Sequence, residues 1–122
     1  MKTVLLVDDS PIILMSLSTL LSQVGYESVL ASDGEKALAH LRTSKAPALV
    51  ITDLNMPGMD GIELIRAIRK LPGLRFVPVL MLTTESQAEK RAEARAAGAT
   101  GWLVKPVQGT ELVKVLEKVV PR

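Results

Sequence analysis

Strand-length apolar runs recur five times along this chain, at about residues 3–7, 27–31, 48–52, 77–82 and 100–104, each followed by a helical pattern. The runs are nearly continuous (VLLV, ALVI, VLML) and do not alternate with polar residues. Strands of that kind are buried on both faces, which happens in parallel sheets covered by helices on either side. Right-handed crossovers then wind the chain into a doubly wound α/β sheet of five strands and five helices.

The helix boundaries are written in local chemistry. A first helix is expected over 11–24, with Ser10 as N-cap, Pro11 at the first helical position and Gly25 as the stop. A second is expected over 34–43, with Ser32 and Glu35 spaced as a capping box. Asp60 caps a third over 61–71, whose Ile62, Ile65 and Ile68 mark one face and which Pro72-Gly73 ends. Ser86 and Glu89 again have capping-box spacing before a fourth over 87–97, stopped by Gly98. The fifth is expected over 110–120.

At 122 residues the chain is of single-domain size and can bury a core without staples, so one domain over 1–122 is expected. Hydrophobic residues are 48% but aromatic ones only 2%, so that core is aliphatic. The absence of cysteine excludes disulfide scaffolds, zinc ribbons and thiol nucleophiles. The opening MKTVLLVDDS meets two aspartates too early for a signal-peptide core, and no run approaches the roughly 18 apolar residues of a membrane span. A cytoplasmic protein with no membrane association is the expectation. The net charge is +2 and the pI about 9.1, but Lys and Arg are dispersed without interleaved aromatics. They read as solvated helix faces, not as a nucleic-acid surface.

In a doubly wound sheet, ligands bind beyond the carboxyl ends of the strands. There the first strand delivers Asp8 and Asp9, the third Thr52 and Asp53, the fourth Thr83, Thr84 and Glu85, and the fifth Lys105 followed by Pro106. Ser32 and Asp33, which follow the 27–31 strand, read as a helix cap. Taken singly, each is an ordinary loop or surface residue. Taken together, Asp8, Asp9, Asp53, Thr83 and Lys105 gather three carboxylates, a hydroxyl and an ammonium on one sheet edge. Two carboxylates about 4 Å apart repel by roughly 4 kcal/mol at an effective dielectric near 20, so the cluster calls for a cation or for raised pKa values. Hard oxygen donors without His or Cys point to Mg²⁺ or a similar ion. Thr and Lys beside it suit the oxygens of a phosphoryl group, and a carboxylate can be a nucleophile toward phosphorus.

At these residues the sequence resembles the receiver domains of bacterial two-component response regulators. VDDS at 7–10, DLNMPGMDG at 53–61, LTTE at 82–85 and LVKP at 103–106 match in order and spacing, and the match covers essentially the whole chain. The resemblance implies a flavodoxin-like, CheY-like sheet of order 2-1-3-4-5. It implies that Asp53 accepts a phosphoryl group from a phosphohistidine on a partner kinase. It also implies that Asp9, Asp53 and the backbone carbonyl of Asn55 hold Mg²⁺, with Asp8 acting mainly through water. Lys105 would pair with Asp53 and the phosphoryl oxygens, Thr83 would bond a phosphoryl oxygen, and the Lys105–Pro106 peptide would be cis.

The resemblance further implies a switch in which Thr83 moves toward the phosphoryl group and an aromatic on the fifth strand turns inward. That position is Trp102 here, where the family usually has Tyr or Phe. Two readings are open: Trp102 swings, or it stays as a surface aromatic. Thr84 is bulkier than the Ala or Gly often found there, and narrows access to Asp53. Asn55 and Glu85 occupy positions that tune attack of water on the aspartyl phosphate. Their combination resembles the chemotaxis regulator CheY and implies a lifetime of seconds to minutes.

The leading expectation is therefore a monomeric, stand-alone signalling switch of the CheY-like chemotaxis type. Its fourth helix, fifth strand and fifth helix would present Lys90, Arg91, Arg95, Trp102 and Lys114 to a target such as a flagellar motor switch component. A phosphorelay intermediate, a kinase regulator, or a receiver excised from a larger regulator or hybrid kinase are alternatives. As an enzyme, the chain would compare with haloacid dehalogenase-like phosphatases. Those place a second Asp two residues after the nucleophile, where this chain has Asn55, and carry the nucleophile after the first strand. No turnover beyond gaining and losing its own phosphoryl group is expected. A flavin carrier is disfavoured by the acidic first loop, and a GTPase by the absence of GxxxxGK[ST]. His40, the only histidine, reads as a surface residue and not as a phosphoryl carrier.

Overall fold

The computed structural model describes residues 2–84 and 87–120. Five strands alternate with five helices: β1 (Thr3–Val7), α1 (Pro11–Gln23), β2 (Glu27–Ala31), α2 (Gly34–Thr43), β3 (Leu49–Asp53), α3 (Gly61–Lys70), β4 (Val79–Thr83), α4 (Lys90–Ala97), β5 (Gly101–Val104) and α5 (Gly109–Val119). The strands form one parallel sheet of order β2-β1-β3-β4-β5. Every residue of β3 and β4 is buried, the polar Thr52, Asp53 and Thr83 at their carboxyl ends included.

Two aliphatic layers enclose the sheet. Val4, Leu6, Ile51 and Leu82 turn toward Leu17 and Leu21 of α1 and Leu112 and Leu116 of α5. Leu5, Val7, Val50 and Met81 turn toward Leu38 of α2, Ile65 and Ile68 of α3 and Ala94 of α4. Alternation along each strand therefore divides one apolar run between two cores. No helix among the described residues is long and apolar enough to cross a membrane.

The helix starts follow the expected chemistry at two positions. Ser10 Oγ accepts from the Ile13 N–H with Pro11 next in line. Asp60 and Glu63 form a reciprocal capping box at α3. At α2 the expected Ser32–Glu35 box is not made. Asp33 is the N-cap and accepts from the Lys36 N–H at 2.8 Å, while Ser32 Oγ accepts from Lys36 Nζ. A carboxylate one residue nearer the helix takes the N3 donor first.

The fourth helix begins at Lys90, three residues later than expected, and Glu89 makes no side-chain cap bond. Ser86 and Glu85 lie outside the described residues. Just before the helix, Gln87 closes a local turn. Its Oε1 accepts from the Thr84 N–H at 2.7 Å and its own N–H donates to the Thr84 carbonyl. Gly98 ends α4 at φ +115°, a left-handed C-cap where a side chain is strained.

One basic residue departs from the solvated-face reading. Arg69, near the end of α3, is half-buried and donates to the carbonyls of Leu74, Val77 and Gly98. The planar guanidinium joins three carbonyls that no ladder satisfies, and burial lowers its pKa.

Candidate phosphoacceptor and metal site

The carboxyl ends of β1, β3, β4 and β5 place the singled-out side chains on one sheet edge. Asp8 follows β1 directly, Asp53 is the last residue of β3, Thr83 the last of β4, and Lys105 follows β5. Asp53 therefore ends the strand from inside it, in register with Leu82. Carboxylate oxygens of Asp8, Asp9 and Asp53 lie within 4.8 Å of one another, with Asp8 and Asp53 buried and Asp9 exposed.

Lys105 is the counter-charge. Its Nζ donates to Asp53 Oδ1 at 2.8 Å and forms an ion pair with Asp8 Oδ2 at 3.4 Å. Asp53 Oδ1 also accepts from the Leu54 N–H at 2.9 Å. Both hydrogen bonds to the Asp53 carboxylate thus fall on one oxygen. Asp8 Oδ1 accepts from the Ser10 N–H at 2.9 Å, while its Oδ2 is buried without a hydrogen bond. Three clustered carboxylates, of which one ammonium reaches only Asp8 and Asp53, form a donor set that suits a hard divalent cation.

The electrostatics follow. Burial raises the Asp8 pKa most, and the neighbouring Asp53 charge adds to it, against the lowering effects of the Ser10 N–H and Lys105. For Lys105, burial pulls downward, but the hydrogen bond and charge of Asp53, with help from Asp8, outweigh it and leave the pKa raised. The ammonium is therefore held charged.

Thr83 is buried, and its Oγ1 has no hydrogen-bond partner among the described residues. A buried hydroxyl without a partner costs free energy, and this one stands at the strand end beside Asp53 and Lys105. The Lys105 N–H is tied to the Thr83 carbonyl at 2.7 Å, which couples the two strand ends. The Lys105–Pro106 peptide is cis. Asn55 is exposed in the loop after β3.

One site residue was not singled out from sequence. A methyl group at Gly61 would collide with the Asp53 carbonyl and crowd Met81 and the Leu54 backbone. Its N–H donates to the Leu54 carbonyl at 2.8 Å. Glycine here lets the start of α3 press against the end of β3 at Asp53 and Leu54. The signal was present in the MDG triplet before an apolar helix, but nothing local says what a side chain would hit.

Trp102 is on β5, in register with Met81 and on the sheet face covered by α3 and α4. It is half-buried and packed against the core layer shared by α3 and α4. The Arg91 and Arg95 guanidinium carbons sit 5.0 and 5.1 Å from its ring centroid. These two arginines are thus engaged with the ring, whereas Lys90 pairs with Glu93 at 3.6 Å on the surface. Lys114 is exposed on α5, and His40 is half-buried with its Nδ1 3.4 Å from Ser44 Oγ.

Comparison with known proteins agrees with this arrangement. Residues 4–117 match the response regulator receiver domain family. Chemotaxis protein CheY of Pseudomonas aeruginosa is 39% identical over 120 residues, covering 98% of this chain and 96% of that protein. The structure of Vibrio cholerae chemotaxis protein CheY4 superposes with a TM-score of 0.92 at 45% identity, covering 98% and 99% of the two chains. The receiver domain of a Pseudomonas aeruginosa sensor histidine kinase, solved with a magnesium ion coordinated in its active-site cleft, gives 0.88 at 28% identity over 97% and 96%. With four strand ends delivering a carboxylate trio, a hydroxyl and a lysine to one edge of a 2-1-3-4-5 sheet, the chain belongs to the response regulator receiver domain family.

Proposed function

We propose that this chain, as one receiver domain, takes a phosphoryl group from a phosphohistidine of a partner histidine kinase onto Asp53. The observation that carries the reading is the Asp53–Lys105 contact at 2.8 Å inside a three-carboxylate pocket. Asp53 Oδ1 is occupied by Lys105 and the Leu54 N–H, so Oδ2 is the oxygen left to attack. The new O–P bond forms as the P–N bond of phosphohistidine breaks, and its electron pair returns to the imidazole ring.

Asp9, Asp53 and the Asn55 carbonyl would hold Mg²⁺, with Asp8 acting through a bound water. The ion supplies positive charge to the phosphoryl oxygens. Lys105 neutralises a further oxygen, and Thr83 Oγ1, buried without a partner, gains an acceptor once a phosphoryl group is present. Asn55 and Glu85 set the approach of water and hence a lifetime of seconds to minutes.

The output is binding. Thr83 movement alters β4 and, through it, the α4–β5–α5 face bearing Trp102. The likeness to chemotaxis proteins of the CheY type supports a cytoplasmic messenger acting on a protein such as a flagellar motor switch component.

Intact mass after incubation with a small acyl phosphate tests this, with and without Mg²⁺, on wild type and Asp53→Asn. One added phosphoryl group that requires both Mg²⁺ and Asp53 is the expected result. No adduct, together with no Mg²⁺-dependent beryllofluoride complex, would overturn the reading.

A further inference from the structure

The opposite edge of the sheet carries a second surface. Lys2, Ala48 and Pro78 immediately precede β1, β3 and β4, so they meet where the three central strands begin. An open groove of about 540 Å³ lies there, lined by these residues with Pro47, Phe76 and Val120. It continues into a second groove of about 460 Å³ that shares Lys2 and the 46–48 segment and reaches Lys45 and His40. The shared Lys2 and 46–48 lining makes the two one continuous surface running from Phe76 to Lys45.

Two features point to the occupant. Phe76 is the only Phe of the chain and is 86% exposed, in a protein whose other large apolar residues mostly fill the two cores. The Arg75 guanidinium carbon lies 5.5 Å from its ring centroid, so the anchor carries its own cation. Among the described residues, none of Lys2, Lys45 and Arg75 is in an ion pair. Among the described residues Glu27, whose N–H donates to the Lys2 carbonyl, is the one acid lining either groove, against the cations Lys2, Lys45 and Arg75. An exposed aromatic beside unpaired cations is complementary to an acidic chain with an apolar anchor.

We propose that this edge is a docking site for an acidic peptide segment bearing one aromatic or large aliphatic residue. Phe76, Pro47 and Val120 take the apolar anchor, and Arg75, Lys2 and Lys45 take the carboxylates. The site lies at the end of the sheet remote from Asp53, so it tethers a partner without covering the phosphoacceptor. Occupation is independent of phosphorylation.

The test is a ¹⁵N NMR titration with the synthetic peptide Asp-Glu-Phe-Asp-Glu-Leu-Glu, with Lys-Arg-Phe-Lys-Arg-Leu-Lys as the charge-reversed control. Saturable shifts of the Ala46, Ala48, Leu49, Phe76, Val77 and Val79 amides are expected with the acidic peptide alone, weakening as salt rises. Phe76→Ala should weaken binding by about tenfold to a hundredfold, and Arg75→Glu should abolish it. Both residues are exposed, so neither variant endangers the fold. Affinity should be the same with and without beryllofluoride and Mg²⁺, and the titration reads out whether or not Asp53 is phosphorylated. No binding at millimolar peptide, equal binding of the control, or shifts centred on Trp102 would each overturn the proposal.

Discussion

Lys105 Nζ rests 2.8 Å from Asp53 Oδ1, and it reaches there from the loop after β5 across the end of β4. The pair is largely withdrawn from water, with side chains 22% and 9% exposed. Replacing Lys105 by Met leaves Asp8 and Asp53 facing each other without a counter-charge. Breaking a buried pair in this way costs about 3–5 kcal/mol, to be read from urea denaturation. Added Mg²⁺ should restore part of that loss. The wild-type contribution of Lys105 is complete below its ordinary pKa of 10.5 and disappears as pH rises through the raised folded value. A variant as stable as wild type at neutral pH would refute the role given to this contact.

Asp8 should behave oppositely. Its folded pKa lies above the ordinary 3.8, because burial and then the Asp53 charge oppose ionisation. The folded state therefore binds more protons than the unfolded state across that window. Stability falls as pH rises from about 3.8 through the raised value. Asp8→Asn removes that slope and should be more stable than wild type at neutral pH without metal. A gain of about 1 kcal/mol corresponds to roughly 4 °C in Tm for a chain of this size. Mg²⁺ should narrow the difference, and a variant less stable than wild type in chelator would sink the argument.

Gly61→Ala should cost about 1–3 kcal/mol, since the new methyl would meet the Asp53 carbonyl oxygen first, and that backbone cannot swing aside as the Met81 side chain can. Because it pushes on the Asp53 carbonyl, acyl phosphate labelling should slow even under conditions where the variant is fully folded. Unchanged labelling together with unchanged stability would mean that the loop relaxes freely.

Arg69→Met removes the donor of three carbonyls, each costing about 1–3 kcal/mol if left buried and unpaired. Faster amide exchange at Ala99 and Thr100 should accompany the loss. Arg69→Lys should rescue little, because a single ammonium cannot span carbonyls that the planar guanidinium reaches together. Labelling of Asp53 should persist, which separates a structural clamp from a part of the site.

Trp102 is the sole tryptophan, so its emission reports on one place. Arg91→Ala with Arg95→Ala uncovers both guanidinium contacts and should shift emission to the red without beryllofluoride. In wild type, beryllofluoride with Mg²⁺ should change intensity or quenching if the ring moves with Thr83. Identical spectra and quenching in both states would leave Trp102 as a fixed surface aromatic.

Much of the site was legible because its residues sit at strand ends. A run such as VLLV or VLML declares a buried strand, and whatever polar residue follows it must emerge at the same edge once the strands are parallel. Asp8, Asp53, Thr83 and Lys105 are placed by that rule alone. The departures have a common cause, since each depends on a partner distant in sequence or on a choice between adjacent acceptors. Ser32 and Asp33 are both competent caps, and only backbone geometry selected Asp33. Arg69 read as one more solvated base until Gly98, twenty-nine residues on, was brought to it.

The order of elements, the aliphatic character of the core and the chemistry of the acidic edge are thus properties of the sequence itself, carried by hydrophobic period and by residue type at strand ends. The tertiary structure alone decided which oxygen of Asp53 is occupied, that Thr83 Oγ1 lacks a partner among the described residues, that Gly61 cannot carry a side chain, and that Phe76 stays in solvent above a cationic groove. Such facts depend on distances between atoms far apart in the chain, and packing fixes those distances while local propensity does not.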